Sequence, residues 1–222
     1  MKVHTANGFS EFHQCLERYE QRFTMFRGVG DASYDLIPKI SRPETKLLRK
    51  PHKTEKEMVR VFKERALPHL RYIPRNDWEW IALMQHHGVP TRLLDWTRNG
   101  LVAAYFAVEK PGAADCAIYA WRNKDRAIDV ESEKDPFKVS DVRRFIPPHL
   151  SERIIAQSGL FTIHPVPTSP MTSPTLEKIV IPGALRKEIK NILFKYGIHR
   201  ASLFPDLDGL ASHVTWMHVE SH

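Results

Sequence analysis

Short segments with strand-like composition recur along the chain between segments with helical periodicity, and this alternation limits the possible folds most strongly. The strand-like segments are rich in β-branched and aromatic residues and end at glycine, proline or polar residues. They lie at 23–28, 117–121, 159–163 and 176–181. Helical spacing of apolar residues marks the segments 9–23 and 184–196. The mixed order predicts an α+β fold with small mixed sheets and surrounding helices.

Several helix boundaries follow from residue type. Ser10 and Asp77 are predicted N-caps, because their side-chain oxygens can accept hydrogen bonds from the first free backbone N–H groups of a helix. Gly197 is a predicted C-cap for the helix at 184–196. Apolar residues between 45 and 70, including Leu47 and Leu48, predict one or two more helices. The alanine-rich run at 101–108 favours a buried helix over a strand.

Length and composition favour one soluble domain. The chain has 222 residues, of which 42% are hydrophobic, and this is enough apolar surface for a core. We expect a single domain over 1–222, with a core at about 9–211 and a polar insertion at about 122–148. An apolar run long enough to span a membrane is missing, as is a secretory signal, and the chain has only two cysteines. These features predict a cytoplasmic protein that does not bind membranes.

The net charge favours polyanionic partners without identifying one. Lys and Arg number 33 against 26 Asp and Glu, which gives a formal charge of +7. The densest basic stretch, 46–65, is interrupted by Glu55, Glu57 and Glu64. Such mixed charge is more typical of a solvated helix face than of a nucleic-acid-binding stripe.

The chemically richest segment is 85–97. It contains two imidazoles, a guanidinium, a carboxylate, hydroxyl groups and an indole, contributed by His86, His87, Arg92, Asp95, Thr91, Thr97 and Trp96. His86 and His87 are adjacent, so on a helix their side chains point about 100° apart and do not suit one metal ion. We therefore expect no metal site, and the familiar phosphate-loop, dinucleotide and metalloprotease motifs are also missing.

Two interpretations of this segment stay open on physical grounds. It could be an ordered loop in which Asp95 caps the next helix and pairs with Arg92, while Trp96 enters the core. It could also be a concave site in which Arg92 holds an anion and an imidazole transfers a proton.

Several segments together resemble the FRG domain family, which is mostly bacterial. The resemblance is carried by Phe26-Arg27-Gly28 and by the block 85–97 with the following Leu101–Ala107. Later segments, Gln157–Thr162 and Phe204–Ala211, are similar to the C-terminal hallmarks of that family. The resemblance extends over roughly 9–211.

A more distant resemblance is to ADP-ribosyltransferases. In those enzymes a strand with an Arg is followed by a Ser/Thr-rich strand, a helix, and a later strand with a catalytic Glu. Arg27, the segment 91–107 and Glu177 occur here in the same order. This chain departs from the pattern because it has no Ser-Thr-Ser motif and has Thr175 where a second Glu is expected.

The resemblance implies a role for each matching residue and NAD as the ligand. NAD would be held by Arg27, Gly28, Thr91, Arg92 and Trp96. Catalysis would use Asp95, Glu177 and His87. The implied reaction is NAD hydrolysis or ADP-ribose transfer to a protein or nucleic-acid acceptor, in a bacterial toxin or phage-defence effector.

Other functions remain compatible with the sequence. Arg27 could be a structural residue paired with Asp206 or Asp208. The chain could be a non-catalytic nucleic-acid or nucleotide sensor, or a nuclease that uses His86 or His87 with Asp95.

Overall fold

Seven strands form one mixed sheet in the computed structural model of the protein, which describes residues 1–45, 51–70, 72–147 and 152–220. The strands are β1 (Lys2–Thr5), β2 (Thr24–Val29), β3 (Leu93–Thr97), β4 (Cys116–Arg122), β5 (Arg143–Phe145), β6 (Gly159–Ile163) and β7 (Leu176–Ile181). The α-helices in these ranges are α1 (Phe9–Glu17), α2 (Pro51–Ala66), α3 (Asp77–His86), α4 (Gly100–Val108), α5 (Glu152–Ala156), α6 (Arg186–Lys195), α7 (Arg200–Leu203) and α8 (Leu207–Thr215). The predicted α+β class is confirmed, although the strands join one sheet instead of several small ones.

The strand order in the sheet is β1-β7-β4-β2-β3-β6-β5. Only β1 and β7 pair in parallel, and the other neighbours are antiparallel. Because side chains alternate between the faces of a strand, β4 buries residues on both sides. Ile118 and Ala120 join the core under α4, whereas Tyr119 and Trp121 join a second core on the opposite face.

A third cluster of buried apolar residues packs on the same face of the sheet as α4, at the other end of the sheet. Phe26 is paired with Thr97, and Asp95 is paired with Phe161, so these four side chains share that face. Helix α4 covers the part around Phe26, while Trp78 of α3 packs with Phe161. Asp95 lies between the two covered regions and is exposed.

The strands predicted at 23–28, 117–121, 159–163 and 176–181 are confirmed as β2, β4, β6 and β7. The helix predicted at 101–108 is confirmed as α4. The structure adds β1 and β5, which the sequence did not predict, and it makes a strand of 93–97. None of the described helices combines the length and the apolar composition needed to cross a membrane.

Two of the predicted caps were wrong. Helix α1 begins after Gly8, so Ser10 lies inside its first turn. Helix α3 is capped by Asn76, whose Oδ1 accepts a hydrogen bond from the Glu79 N–H at 3.0 Å, and Asp77 is the first residue of the helix. Gly197 follows the last helical turn with a φ of 75°, the left-handed conformation expected of a C-cap glycine. Leu47 and Leu48 lie outside the described residues.

Candidate functional site

The site lies where β2 and β3 separate. Every residue of β2 has a partner on β4, but only Phe26 has a partner on β3. One residue further along, the Arg27 side chain reaches across and its Nη1 donates to the Asp95 backbone carbonyl at 2.5 Å. The same Nη1 lies 3.6 Å from Asp95 Oδ2. A guanidinium thus replaces the backbone donor that a continued strand pair would supply.

A cleft of about 650 Å³ opens at this point. Its walls come from β2, β3, α3, α4, α5 and the N-cap of α8. The charged and imidazole side chains that line it are Arg27, Lys39, Arg153, Asp95, Asp206, His86 and His87. Such a concave surface with converging polar groups of both signs is typical of a small-molecule site.

Asp95 is oriented by a relay of hydrogen bonds. The Thr91 hydroxyl donates to Gln85 Oε1 at 2.6 Å. Gln85 Nε2 then donates to Asp95 Oδ2 at 2.9 Å. The Asp95 side chain remains 58% exposed, so its carboxylate is accessible from the cleft.

Burial gives His86 a neutral imidazole. Desolvation, assisted by the nearby charge of Arg153, lowers the pKa of His86 to about 4, and Asp95 and Asp206 only partly oppose this effect. His87 lines the same cleft at an exposed position. The two rings lie almost perpendicular, with centroids 4.9 Å apart.

The two arginines of the cleft are partly desolvated cations. Burial lowers the pKa of Arg27, and Asp95 opposes the change. Burial also lowers the pKa of Arg153, against the opposing charges of Asp95 and Asp206. Because arginine is not deprotonated in proteins, both side chains keep their charge at neutral pH.

Trp96 lines the cleft and is also the first member of a buried chain of hydrogen bonds. Its Nε1 donates to the Thr162 hydroxyl at 2.9 Å, and that hydroxyl lies 2.9 Å from His164 Nε2. Burial, with a smaller effect from Arg27, lowers the pKa of His164 to about 3. The imidazole next to Arg27 is therefore uncharged.

Arg92 and Thr91 belong to the interior and do not line the cleft. The Arg92 side chain is fully buried, and its Nε donates to Glu55 Oε2 at 2.7 Å. Its backbone N–H donates to the other oxygen of Glu55 at 2.6 Å. The interpretation in which Arg92 pairs with Asp95 was wrong, and the Glu55 pair instead ties α2 to the residue before β3. Asp95 is not a helix cap either, since Asn99 caps α4.

Glu177 lies in a different place from the cleft. It is on β7, which is separated from β2 by β4, so about 10 Å of sheet lies between the strands of Glu177 and Arg27. Its Oε2 accepts a hydrogen bond from the Tyr19 hydroxyl at 3.0 Å and lies 3.4 Å from His4 Nε2. Glu177 lines a second, smaller pocket of about 230 Å³.

Gly28 has a packing role next to the cleft. A Cβ atom at this position would lie 1.9 Å from the Ala103 carbonyl oxygen and 2.7 Å from the Ala107 nitrogen. Helix α4 therefore rests on the bare backbone of β2. This close approach positions the floor of the cleft, where Gly28 and Phe106 both contribute.

A comparison with protein families matches the part of the chain that contains Arg27 and Asp95. The model of the FRG domain family matches residues 22–116. The chain contains an FRG domain. The matched region includes β2, β3 and α4, and ends at the first residue of β4. Neither the curated proteins nor the solved structures gave a significant match.

The FRG domain match does not cover the whole site. Arg153, Gln157 and Asp206 line the cleft from beyond residue 116. Sequence reasoning did not assign these three residues, or Lys39, to the site. Their signal was weak, because Gln157 and Asp206 lie in C-terminal segments that resemble the family without a motif of their own, and Asp206 was considered only as a structural partner of Arg27.

Two observations bear on metal and nucleic-acid binding. In the described parts of the chain, no three His, Cys, Asp or Glu side chains are grouped to hold a metal ion. On α2, Arg60 is paired with Glu57 and Glu64, both at 2.6 Å, so part of the basic stretch is neutralised locally.

Proposed function

We propose that the cleft beside β2 and β3 binds NAD as a substrate and cleaves its bond to nicotinamide, with hydrolysis or ADP-ribose transfer as the outcome. The observation that carries this proposal is that Arg27 and Asp95, on neighbouring strands, line the same cleft. A guanidinium beside an exposed carboxylate matches the chemical needs of a substrate with a diphosphate next to a ribose.

Arg27 is suited to binding phosphate. Its contact with the Asp95 carbonyl uses one N–H of a planar fork of five donors. The remaining donors can bind phosphate oxygens in a geometry that a lysine cannot reproduce. Trp96 and Phe106 add aromatic surface to the cleft wall.

In this proposal Asp95, and not Glu177, acts on the ribose. As the bond from ribose C1′ to nicotinamide breaks, nicotinamide leaves with the electron pair and the ribose becomes an oxocarbenium-like cation. A nearby carboxylate stabilises that cation electrostatically. Asp95 is exposed in the cleft, whereas the Glu177 carboxylate is bound to Tyr19 in another pocket.

The reaction is completed by an oxygen nucleophile. Water or an acceptor hydroxyl forms the new bond to C1′ and loses a proton, which the exposed imidazole of His87 accepts at the rim of the cleft. His86 is a neutral hydrogen-bonding group beside it. An enzyme that consumes NAD or modifies macromolecules in this way would suit a bacterial toxin or phage-defence effector.

The test is to incubate the purified protein with NAD labelled on nicotinamide or on adenine, alone and with cell extract. Nicotinamide release reports cleavage, and adenine label on macromolecules reports transfer. Asp95→Asn should lower turnover by about 100-fold or more with little loss of folding, whereas Glu177→Gln should retain activity. Absence of turnover together with absence of NAD binding at millimolar concentration would contradict the proposal.

A further inference from the structure

Among the described residues, three cationic side chains reach the cleft from separate parts of the chain. Arg27 comes from β2, Lys39 from the segment before α2, and Arg153 from α5. The Lys39 ammonium already makes a contact within the protein, because its Nζ donates to the Gly88 carbonyl at 2.8 Å. The two guanidinium groups are therefore the stronger candidates for anion binding.

Arg153 is held in place by groups around the cleft. Its guanidinium carbon lies 4.3 Å from the centroid of the Phe204 ring, in a cation–π contact. Its Nη1 is 3.5 Å from the His86 carbonyl oxygen. These contacts orient a planar donor group at the cleft wall and lower the entropy lost when a ligand binds.

The Asp95 carboxylate acts on both arginines. It lies 3.6 Å from Arg27 Nη1, and its charge also partly opposes the lowering of the Arg153 pKa by burial. One carboxylate thus supplies opposing charge to two guanidinium groups. An incoming anion has to compete with Asp95 for Arg27, the guanidinium that lies next to its carboxylate.

We infer that Arg27 and Arg153 together bind a diphosphate, one guanidinium to each phosphate, and that Asp95 moderates its affinity. The ligand class is then nucleotides with a diphosphate, in preference to nucleosides and monophosphates. This inference rests on the proposed function in taking the cleft as the substrate site, and it adds Arg153 as a specificity-determining residue.

The experiment measures binding of inorganic pyrophosphate and inorganic phosphate to the full chain by titration calorimetry at fixed ionic strength. Wild type should bind pyrophosphate about tenfold or more tightly than phosphate. Arg153→Gln should weaken pyrophosphate binding by about tenfold and nearly abolish the preference, because a charged hydrogen-bonding group is lost. Arg153→Lys should have an intermediate affinity, since the charge remains and the planar fork does not.

Asp95→Asn should change pyrophosphate affinity in the direction opposite to Arg153→Gln. Removal of its charge should tighten pyrophosphate binding by about tenfold, even though the same variant loses turnover. The matched control is Arg126→Gln, which removes one positive charge at an exposed position away from the cleft and should leave both affinities unchanged. Melting temperatures establish that each variant is folded.

Equal binding of phosphate and pyrophosphate by wild type would overturn the inference, as would unchanged pyrophosphate affinity in folded Arg153→Gln and Arg153→Lys. Pyrophosphate selectivity that depends on Arg153, without any NAD turnover, would support the inference and contradict the proposed reaction. NAD turnover that requires Asp95, without pyrophosphate selectivity, would support the reaction and contradict the inference.

Discussion

Arg27 and Arg92 each meet a carboxylate, but in opposite environments. The Arg92 and Glu55 side chains are both 0% exposed, and this pair joins α2 to the start of β3. The Arg27 side chain is 13% exposed and its neighbour Asp95 is 58% exposed, so this pair is accessible to a ligand. Burial therefore distinguishes an arginine that holds the fold from one that can hold a substrate.

Glu55→Gln should destabilise the protein strongly. The substitution leaves the buried Arg92 guanidinium without its carboxylate, and loss of one partner of a buried pair costs about 3–5 kcal/mol. Urea denaturation measures the change in unfolding free energy. Glu57→Gln is the control on the same helix, since Glu57 is exposed and pairs with Arg60 at the surface, and it should leave stability nearly unchanged. Equal stability of the two variants would contradict the structural role of the buried pair.

At the level of elements, the cleft depends on how closely α4 approaches β2. The helix is rich in alanine and contacts the strand where Gly28 has no side chain. The small residues on both sides allow backbone contact and align α4 beside the point where β2 and β3 separate. Gly28 in the sequence Phe26-Arg27-Gly28 is thus explained by packing.

Gly28→Ala should destabilise the fold by about 3 kcal/mol or more, because the new methyl group would lie 1.9 Å from the Ala103 carbonyl oxygen and the helix has to move. Differential scanning calorimetry gives the expected fall in melting temperature. Gly8→Ala is a suitable control, since a methyl group there meets nothing within 4 Å. A Gly28→Ala protein as stable as wild type would show that α4 can shift without cost.

Sequence patterns predicted the longer elements better than the short ones. Strands β4 and β7 and helix α6 were evident from their apolar residues, and helix α4 was evident from its alanine content. Strand β3 was hidden by polar residues, since Asp95 and Thr97 face a cleft, and its pairing with β2 and β6 identifies the strand. The edge strands β1 and β5 are too short to have a clear pattern.

At the scale of the whole molecule, the site is assembled from distant parts of the sequence. Arg27 and Asp95 could be proposed from motifs, but Arg153 and Asp206 reach the cleft only after the chain has folded. Glu177 is a predicted site residue that the fold places away from the cleft. Its place in the sequence fitted a catalytic glutamate, but the strand order inserts β4 between β7 and β2.

The stability of the whole molecule should fall in mild acid. The pKa of His164 is about 3 and that of His86 about 4 in the folded protein, below the ordinary value near 6.5. Between those values the unfolded chain binds protons that the folded protein does not, so stability decreases as the pH falls below 6.5. For His164 alone the expected loss from pH 7.5 to pH 5 is about 2 kcal/mol.

Urea denaturation of wild type and His164→Gln at pH 7.5 and pH 5 measures this loss. The variant cannot titrate at this position, so its stability should fall less than that of wild type over the same interval. Parallel changes in the two proteins would mean that His164 accepts a proton in the folded state.

The most direct measurement is a crystal structure of the protein soaked with NAD. Density for the diphosphate is expected within hydrogen-bonding distance of Arg27, with the ribose beside Asp95 and the ligand inside the cleft between β2 and β3. Density beside Glu177 and Tyr19 instead, with the cleft free of ligand, would contradict the assignment of the site.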